Sequence, residues 1–499
     1  MKPTPTVVLL SSIILAVVVV IFSLPYSAAQ TTNSPDTQLQ TFQGWQRPKA
    51  ALVITGQQYG YVEPCGCTGL ANQKGGLARR DSMLQFLENE RKWNVVPIDT
   101  GNLVRRIGPQ AVIKFQYTVR AMREMQYQAL GIGPDDLNLA FTDLVQAVVP
   151  QGAEDLSDLF VSANVDIYGF VPKYRIIETG GIRIGVTSIL GDEFLENIPH
   201  AEIQTQPAFS AARQSVRQMR AAGCGYCIVM AHTSEANCRK LAQTVSGIDL
   251  IVVADGTGEP RFRPETVDRT SLIKVGPKGM YANVVGLNQT AGQPGQLRYQ
   301  RLPMDAQWPD SRRMLDAMAE YQRLLKTAGL KNLGAKPTPH IDGQFVGSQI
   351  CGECHTQAYD KWLQTPHHEA TTSIAEPTER SEIMRHFDPE CLSCHVTGWS
   401  PKQYRPYTSG YESLAQSAHL VGNGCENCHG PGKAHVDAEN GDIDLTENQI
   451  RQLRAKIRLK LAVAEQKCME CHDLDNSPDF HEPGAFEAYW KEVAHPGLD

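Results

Sequence analysis

The chain has 499 residues, of which 41% are hydrophobic and 20% are charged. This length exceeds what one ordinary core supports and predicts two or more domains, while the composition excludes a disordered chain. The formal net charge of −7 is small for this size, and no block of Lys or Arg stands out. The charge pattern therefore argues against nucleic acid as a partner.

The N-terminus has the pattern of an export signal. Lys2 precedes an apolar run over residues 7–24, Pro25 ends that run, and residues 27–29 are small enough for a signal peptidase to cut. The run is also just long enough to span a bilayer. Residues 1–29 are thus predicted to be a signal peptide or a membrane anchor. In both cases the rest of the chain is exported, to the periplasm or the extracellular face of the cytoplasmic membrane.

After a polar linker at 30–47, residues 48–303 have the alternation of an α/β domain. Stretches with helical periodicity separate short apolar runs that predict buried strands. The predicted helices cover 76–89, 110–126 and 207–222. The predicted strands are 51–55, 95–98, 182–190, 227–230 and 250–254, and later strands at 271–275 and 283–287 predict a second sheet packed on the first.

A linker helix and loop are predicted over residues 304–344. Within it, 311–326 carries one apolar stripe, Asp310 or Ser311 is placed to cap its start, and Gly329 follows its end. Few β-branched runs and many histidines follow. Residues 345–499 are therefore predicted to form a mainly α domain built around a cofactor.

Eight of the 13 cysteines belong to four Cys-x-x-Cys-His motifs. In this motif the two thiols bond covalently to the haem vinyl groups, and the next histidine binds the iron. Zinc ribbons and disulfides do not require a histidine directly after every second cysteine. The sequence predicts four covalently bound haem c groups, attached at Cys351, Cys354 and His355; Cys391, Cys394 and His395; Cys425, Cys428 and His429; and Cys468, Cys471 and His472.

A second axial ligand for each iron is expected to be a histidine. Beyond residue 345 the only methionines are Met384 and Met469, and Met469 lies inside an attachment motif. Bis-histidine ligation predicts a lower potential than histidine–methionine ligation. The spare histidines number more than the four positions, so some are bystanders: His367, His368, His386, His419, His435, His481 and His495.

Residues 346–499 resemble the tetrahaem cytochrome c554 family. In the run from Cys351 to His367, Trp362 and Thr365 stand where the family has a Trp and then Ser-x-His, whose histidine is a distal ligand. The segments around 419–435 and 477–495 are also similar. The resemblance implies distal iron ligands and allows one five-coordinate haem. The implied ligands are His367, His419, His435 and His495.

Residues 48–303 resemble the calcineurin-like metallophosphoesterase domain of the secreted 5′-nucleotidases, a sandwich of two sheets. Segments 55–60, 99–102, 133–137 and 255–257 stand where that family has its metal-binding motifs, and His232 matches the lone histidine of a later strand. Most ligands of the two-metal site are replaced, so the resemblance implies a domain that does not hydrolyse phosphoesters. The replacements are Gln57, Tyr59, Asn102, Pro134, Asp255 and Thr257.

Five cysteines lie outside the haem motifs, and Cys65 and Cys67 are on a loop that would border the degenerate metal site. For these two and for Cys224, Cys227 and Cys238, disulfides are the expected state in an oxidising compartment, and a metal or redox-active thiol site is the alternative. Because five is an odd number, one thiol is left over or pairs between chains.

Three functions follow from these patterns. The first is an electron carrier between redox partner proteins, such as other cytochromes or quinone-linked oxidoreductases, with the α/β domain as scaffold or docking module. The second is an oxidoreductase that acts on a small nitrogen or sulfur species at one open haem. The third keeps phosphoester hydrolysis in the first domain.

Overall fold

The computed structural model describes residues 41–65, 73–149, 159–288, 297–378 and 381–496. Over these ranges, the first part of the chain forms two β-sheets covered by helices, and the second part is mainly helical. The predicted export segment lies outside the described residues. Among the residues described, no helix is long and apolar enough to cross a membrane.

Most strands of the first domain lie where the apolar runs predict them. The longest, over 182–190, has the predicted bounds, and the other six predicted strands differ by one or two residues at their ends. The sequence did not predict the strands at 129–130, 165–167, 175–179, 203–205, 265–267 and 298–303. The strands are β1 (Ala50–Thr55), β2 (Val95–Asp99), β3 (Ala129–Leu130), β4 (Val165–Ile167), β5 (Arg175–Thr179), β6 (Ile182–Leu190), β7 (Ile203–Thr205), β8 (Tyr226–His232), β9 (Leu250–Val253), β10 (Glu265–Val267), β11 (Thr270–Lys274), β12 (Tyr281–Leu287), β13 (Arg298–Pro303), β14 (Trp399–Ser400) and β15 (Arg405–Pro406).

Two sheets form the centre of the first domain. One has the order β13-β12-β1-β2-β3, with β1 parallel to β2 and antiparallel to β12. The other has the order β10-β11-β9-β8-β6-β5, and its four inner strands are parallel. The carboxyl ends of β1, β2 and β8 carry Gln57, Asn102 and His232 to one edge of the sandwich, which positions the cavity described below.

Strand β1 shows why the apolar runs are continuous. Leu52 and Ile54 pack between the two sheets, against residues such as Val186 of β6. Ala51 and Val53 point to the opposite face and pack under helices. Because both faces are buried, every position from Ala50 to Ile54 is apolar, as expected for inner strands of a covered sheet, and only the last residue, Thr55, is polar.

Helices cover the outer face of each sheet, and further short helices form the C-terminal region. The predicted helix at 76–89 is α-helical over Leu77–Gln85 and continues as a π-helical turn at Phe86–Glu90. The α-helices are α1 (Leu77–Gln85), α2 (Pro109–Glu124), α3 (Phe141–Val148), α4 (Asp192–Leu195), α5 (Ala208–Ala221), α6 (Glu235–Thr244), α7 (Arg312–Ala328), α8 (Ser348–Gly352), α9 (Thr356–Leu363), α10 (Ala370–Ala375), α11 (Pro389–His395), α12 (Cys425–His429), α13 (Lys433–Asn440), α14 (Glu447–Ile457), α15 (Leu461–Cys468) and α16 (Ala485–Val493).

Helix α7, which the sequence assigns to a linker, packs on the first domain. Its stripe, including Met318 and Leu325, joins the core beneath the first sheet. Ser311 occupies the N-cap position without a capping hydrogen bond from its side chain, and Gly329 ends the helix with φ +72°. The helix is therefore part of the first domain's packing, and the change of structure comes after it.

The C-terminal region has a much smaller apolar core than the sandwich. Its cluster surrounds Leu392 and Val396 and includes Phe345, Trp399 and Tyr411. A region this poor in buried apolar side chains needs another source of core, and the haem groups predicted from its four motifs would supply one.

The two parts of the chain are joined by partly buried ion pairs. Arg385 contacts both carboxylate oxygens of Glu63, at 2.5 and 2.9 Å, and Lys114 lies 2.7 Å from Glu390. Both C-terminal partners lie just before Cys391, the first residue of the second haem motif. The first domain is thus fixed against that motif.

The loops after β2 and β3 approach each other closely at Gly101, and a substitution there tests this contact. It has φ +90°, and an added Cβ would lie 2.3 Å from the Gly131 carbonyl oxygen. We expect Gly101→Ala to lower the free energy of unfolding by about 3 kcal/mol, since it combines backbone strain with a steric clash. The matched control is Gly108→Ala, also at positive φ but with nothing within 4 Å, which should cost about 1 kcal/mol. Thermal unfolding followed by circular dichroism measures both, and equal losses would contradict the proposed clash.

Candidate haem-binding sites

Each Cys-x-x-Cys-His motif forms one helical turn. Residues 391–395 and 425–429 lie in α11 and α12, and the backbone N–H of His355 and of His472 donates to the carbonyl four residues earlier, at 2.9 Å in both cases. Side chains three and four residues apart share a helix face. The two sulfur atoms and the imidazole of each motif therefore face one side, as covalent attachment of a haem requires.

The second ring nitrogen of three motif histidines is already occupied. Nδ1 of His395 donates to the Ala370 carbonyl at 2.6 Å, and Nδ1 of His429 donates to the Ile457 carbonyl at 2.8 Å. Nδ1 of His472 lies 2.9 Å from the Ser477 hydroxyl. Such a bond fixes the tautomer and leaves Nε2 to bind a metal. These side chains fit haem iron.

Three motif histidines each face a second histidine. An iron with two axial imidazoles holds the ring centroids about 6 Å apart, because each iron–nitrogen bond is about 2 Å and the nitrogen lies about 1 Å from its ring centre. The observed centroid separations match this value. The pairs are His355–His435 at 6.3 Å, His472–His367 at 6.1 Å and His429–His495 at 5.8 Å.

His419 lies away from these pairs. Its main chain and ring edge lie against Gly347, and it is close to the buried carboxylate of Glu426. His368, next to His367 in the chain, packs edge-on against Trp362 at 4.8 Å. The structure thus brings together three of the four histidines that the family resemblance implies and places the fourth elsewhere.

The remaining motif histidine has a sulfur neighbour. The imidazole of His395 and the thiol of Cys65 are hydrogen-bonded. Burial acts to lower the pKa of His395, but the hydrogen bond with Cys65 and the nearby sulfur groups raise that pKa above its ordinary value. Cys65 also neighbours Cys391 and Cys394 of the same motif. The sequence did not predict that Cys65 lies beside the second motif.

Cysteines of different motifs also lie close together. These contacts link the first motif to the third, the third to the fourth, and the fourth to the second. The cysteine pairs are Cys351 with Cys425, Cys428 with Cys468, and Cys471 with Cys394.

The first domain contains a cavity of about 300 Å³ at the edge where the resemblance places a two-metal site. Its lining includes Gln57, Asn102, Asp135, His232 and Asp255. Asp255 is neutralised by Lys274 at 2.9 Å, and Nε2 of His232 lies 2.7 Å from the Thr100 carbonyl oxygen. Burial lowers the pKa of His232 to about 4.

Behind the cavity, an internal cation takes part of the charge that a metal would supply. Asp99, at the end of β2, and Arg80 of α1 are completely buried and lie 3.6 Å apart. Throughout the described ranges, no three His, Cys, Asp or Glu side chains converge to hold a metal ion. The cavity therefore lacks the ligand set that two-metal hydrolysis needs.

The expectation of disulfides is wrong for three cysteines. Cys224, Cys227 and Cys238 are buried thiols in the core behind the second sheet. Burial raises the pKa of Cys227 to about 12, so this thiol stays protonated and packs as a small apolar side chain. Cys67 lies outside the described residues.

Comparison with known proteins bears on the haem region. The family model for cytochrome c554 and c-prime matches residues 350–430. Cytochrome c-554 of Nitrosomonas europaea is 30% identical over 168 residues, which cover 31% of this chain and 68% of that protein. The chain belongs to the cytochrome c554 family. Proteins of this family carry covalently bound haem c, and the resemblance drawn from the sequence is confirmed.

The solved structures to which this chain is similar include two hydrolases. A 5′-nucleotidase precursor of Thermus thermophilus is 19% identical, with a TM-score of 0.47 over 64% of this chain and 68% of that one. The sulfate thiohydrolase SoxB of the same organism, in complex with glycerol, is 14% identical, with a TM-score of 0.46 over 66% and 69%. The predicted fold class is confirmed by the two α/β sheets and the helical haem region.

His232 predicts a pH dependence of stability. Its folded pKa of about 4 lies below the ordinary value of 6.5, so between these values the unfolded chain binds the proton first. Stability should fall as pH drops from about 7 to 4, by about 3 kcal/mol from this group. Urea unfolding should show that this loss disappears in His232→Gln and persists in the control His200→Gln. Parallel pH profiles for wild type and His232→Gln would refute the assignment.

Hydrolysis should be absent from the first domain. Because Lys274 is paired with Asp255 at the cavity and Arg80 with Asp99 behind it, we expect no more than trace release of phosphate from nucleotides or sugar phosphates with manganese, zinc or cobalt. A phosphate-release assay on the purified full chain measures this. Robust turnover that His232→Ala abolishes would show that a working metal site survives.

Proposed function

We propose that this protein is an exported tetrahaem c-type cytochrome that transfers electrons between redox partner proteins outside the cytoplasmic membrane. Its family supports a multihaem electron-transfer cytochrome. The observation that carries the proposal is the set of three histidine pairs at the separation of two axial iron ligands. Haem bound there supplies the one-electron chemistry, and the chain supplies attachment, orientation and spacing.

Each pair supports one distal ligand in this proposal. His435 is the distal ligand of the haem on His355, His495 of the haem on His429, and His367 of the haem on His472. His367 follows the first motif but serves the fourth, because helix α9 carries the chain away from Cys351. Bis-histidine ligation keeps these irons low-spin and lowers their potentials relative to histidine–methionine sites.

The cysteine contacts support an order of haems. The first haem neighbours the third, the third neighbours the fourth, and the fourth neighbours the second. Cys354 of the first motif is exposed, whereas the second motif lies against the first domain. Electrons thus enter or leave through the exposed first haem, where other cytochromes or quinone-linked oxidoreductases dock.

The first domain acts as a scaffold or docking module. Its charged groups bind each other at the cavity, and its ion pairs hold it beside the second motif. A second candidate function, reduction or oxidation of a small nitrogen or sulfur species, is specific to the haem on His395. Among the described residues, His395 is the motif histidine whose ring forms no pair with a second histidine ring.

The test of this proposal compares two adjacent histidines. His367→Ala should convert one haem to a high-spin form that binds carbon monoxide when reduced, because the iron on His472 loses its distal ligand. His368→Ala is the matched control and should leave the spectrum unchanged, because that ring packs on Trp362. Electron paramagnetic resonance counts the spin states, and pyridine haemochrome should report four haems in both variants.

Two results would contradict the proposal. A stoichiometry of two or fewer haems, in protein matured by a competent host, would show that the motifs are not all used. A high-spin haem in His368→Ala but not in His367→Ala would show that the ligand is the neighbouring histidine.

A further inference from the structure

We propose that the cavity of the first domain is a binding site for a small uncharged molecule rich in hydroxyl groups, and that the loops lining it transmit its occupancy to the second and fourth haem motifs. The transmission rests on the proposed function, because it requires haems at those motifs. The binding itself depends on the first domain alone.

The size and lining of the cavity suit one sugar-sized molecule. Its volume of about 300 Å³ is at the lower end of the range for ligand pockets. Leu190, Phe194 and Ile198 give the lining apolar surface, and Asn138 and Asn197 add amide groups. A hydroxyl group both donates and accepts hydrogen bonds, so a ligand rich in hydroxyl groups can bond to amides and carboxylates alike.

The charges at the cavity favour an uncharged ligand over a phosphate ester. Asp255 is paired with Lys274, but none of the ion pairs of the described residues includes Asp135, whose carboxylate accepts from Nδ2 of Asn102 at 3.0 Å. Burial raises the pKa of Asp135, against the opposing effects of the Asn102 amide and of Arg105, which is exposed. This carboxylate repels a phosphate ester, whereas a hydroxyl group donates a hydrogen bond to it.

The backbone that carries the polar lining is strained and firmly held. Gln57, Tyr59 and Asn102 all line the cavity, and all have φ between +52° and +62°, which is unfavourable for a residue with a side chain. The backbone N–H of Gln57 donates to the Gly101 carbonyl at 2.8 Å, and that of Tyr59 donates to the Asn102 carbonyl at 3.0 Å. Strain that the surrounding structure maintains in this way is typical of ligand sites, where it fixes the side chains in advance.

The loop after β1 runs from the cavity to the second haem motif. It begins with Gln57 and Tyr59 in the lining and continues to Glu63. The carboxylate of Glu63 accepts two hydrogen bonds from Arg385, at 2.5 and 2.9 Å. Because Arg385 lies six residues before Cys391, a change in this loop acts on the segment that leads into the motif.

The loop after β2 also connects the cavity with the second motif. Asn102 is in the lining, and four residues later Arg106 lies 2.7 Å from Glu390, the residue before Cys391. The guanidinium of Arg106 also lies 3.3 Å from the centre of the Tyr404 ring. A cation of this loop is thus held next to the attachment site of the second haem.

The fourth motif is connected to the cavity through Lys278. The backbone N–H of Lys278 donates to the Gln57 carbonyl at 2.6 Å, and the residue has a strained φ of +58°. Its ammonium group pairs with Asp475, three residues after His472. A ligand that moves Gln57 therefore also moves a cation close to the fourth haem motif.

Ligand binding and haem reduction are coupled through these loops. An electron added to a haem is attracted by a nearby cation, and the attraction depends on the distance between them. A ligand that shifts Arg106 and Lys278 therefore changes the potentials of the second and fourth haems. By thermodynamic linkage, reduction of these haems changes the affinity for the ligand by the same factor.

Calorimetric titration of the haem-loaded full chain tests the binding, with D-xylose as the probe and D-xylonate as the matched anion. Xylose should bind the oxidised protein at one site per chain, about tenfold more tightly than xylonate. In Asp135→Asn the affinity for xylose should fall about fivefold, because a hydrogen bond to a charged group becomes one to a neutral group, and the preference over xylonate should narrow. The control Glu202→Gln removes an exposed acid outside the lining and should change neither affinity.

The same titration on protein reduced with dithionite tests the transmission. The affinity for xylose should differ about fivefold or more between the oxidised and reduced proteins. Saturating xylose should also shift two of the four midpoint potentials in a redox titration. The double variant Arg106→Gln and Lys278→Gln should still bind xylose when oxidised, but its two affinities should be nearly equal, because the cations that connect the cavity to the haems are gone.

Each part of the inference has its own contrary result. A wild-type protein that does not bind xylose, or that binds xylonate more tightly, would overturn the site for an uncharged ligand. Equal affinities for xylose in the oxidised and reduced wild type would overturn the transmission. Fewer than four haems by pyridine haemochrome would instead overturn the tetrahaem proposal and leave the binding result in place.

Discussion

Three pairs of histidines, each at the separation of two axial iron ligands, constrain the C-terminal region. A motif histidine is placed by its own helical turn, but its partner comes from a distant part of the chain, as His435 does for His355. Each such pair joins two segments at a fixed spacing. The apolar cluster around Leu392 and Trp399 is small, so haems held between these pairs would supply much of the contact among the short helices.

The packing of the first domain does not depend on such pairs of iron ligands. The sandwich keeps a cavity at the edge where Gln57, Asn102 and His232 meet, and the carboxylate of Asp255 in its lining is paired with Lys274. A buried charge is costly unless it is paired. The ion pair between Arg80 and Asp99 meets that need within the fold, so neither residue depends on a metal.

The sequence could predict the features that leave a periodic or local pattern in it. The strands could be located because inner strands such as β1 are apolar on both faces, and the four attachment motifs are local in sequence. The chain alone does not reveal that α7 packs in the first core, because the same stripe suits either domain. Nor could it separate buried thiols such as Cys227 from paired ones, since burial depends on the packing of α5 and the second sheet.

Distal ligands are harder to predict for the same physical reason. Which histidine reaches which iron depends on loops that bring together residues far apart in sequence, and adjacent candidates such as His367 and His368 differ only in the direction of their side chains. The family resemblance could supply candidate histidines within the haem region, but it could not supply which motif each of them faces.

The first domain and the haem region also meet at charged side chains. Lys114 and Arg106 both contact Glu390, next to the second motif, at 2.7 Å. Positive charge near a haem favours its reduced state. A haem held at this motif would therefore respond to cations that belong to the first domain, and its redox potential would depend on how the two domains are docked.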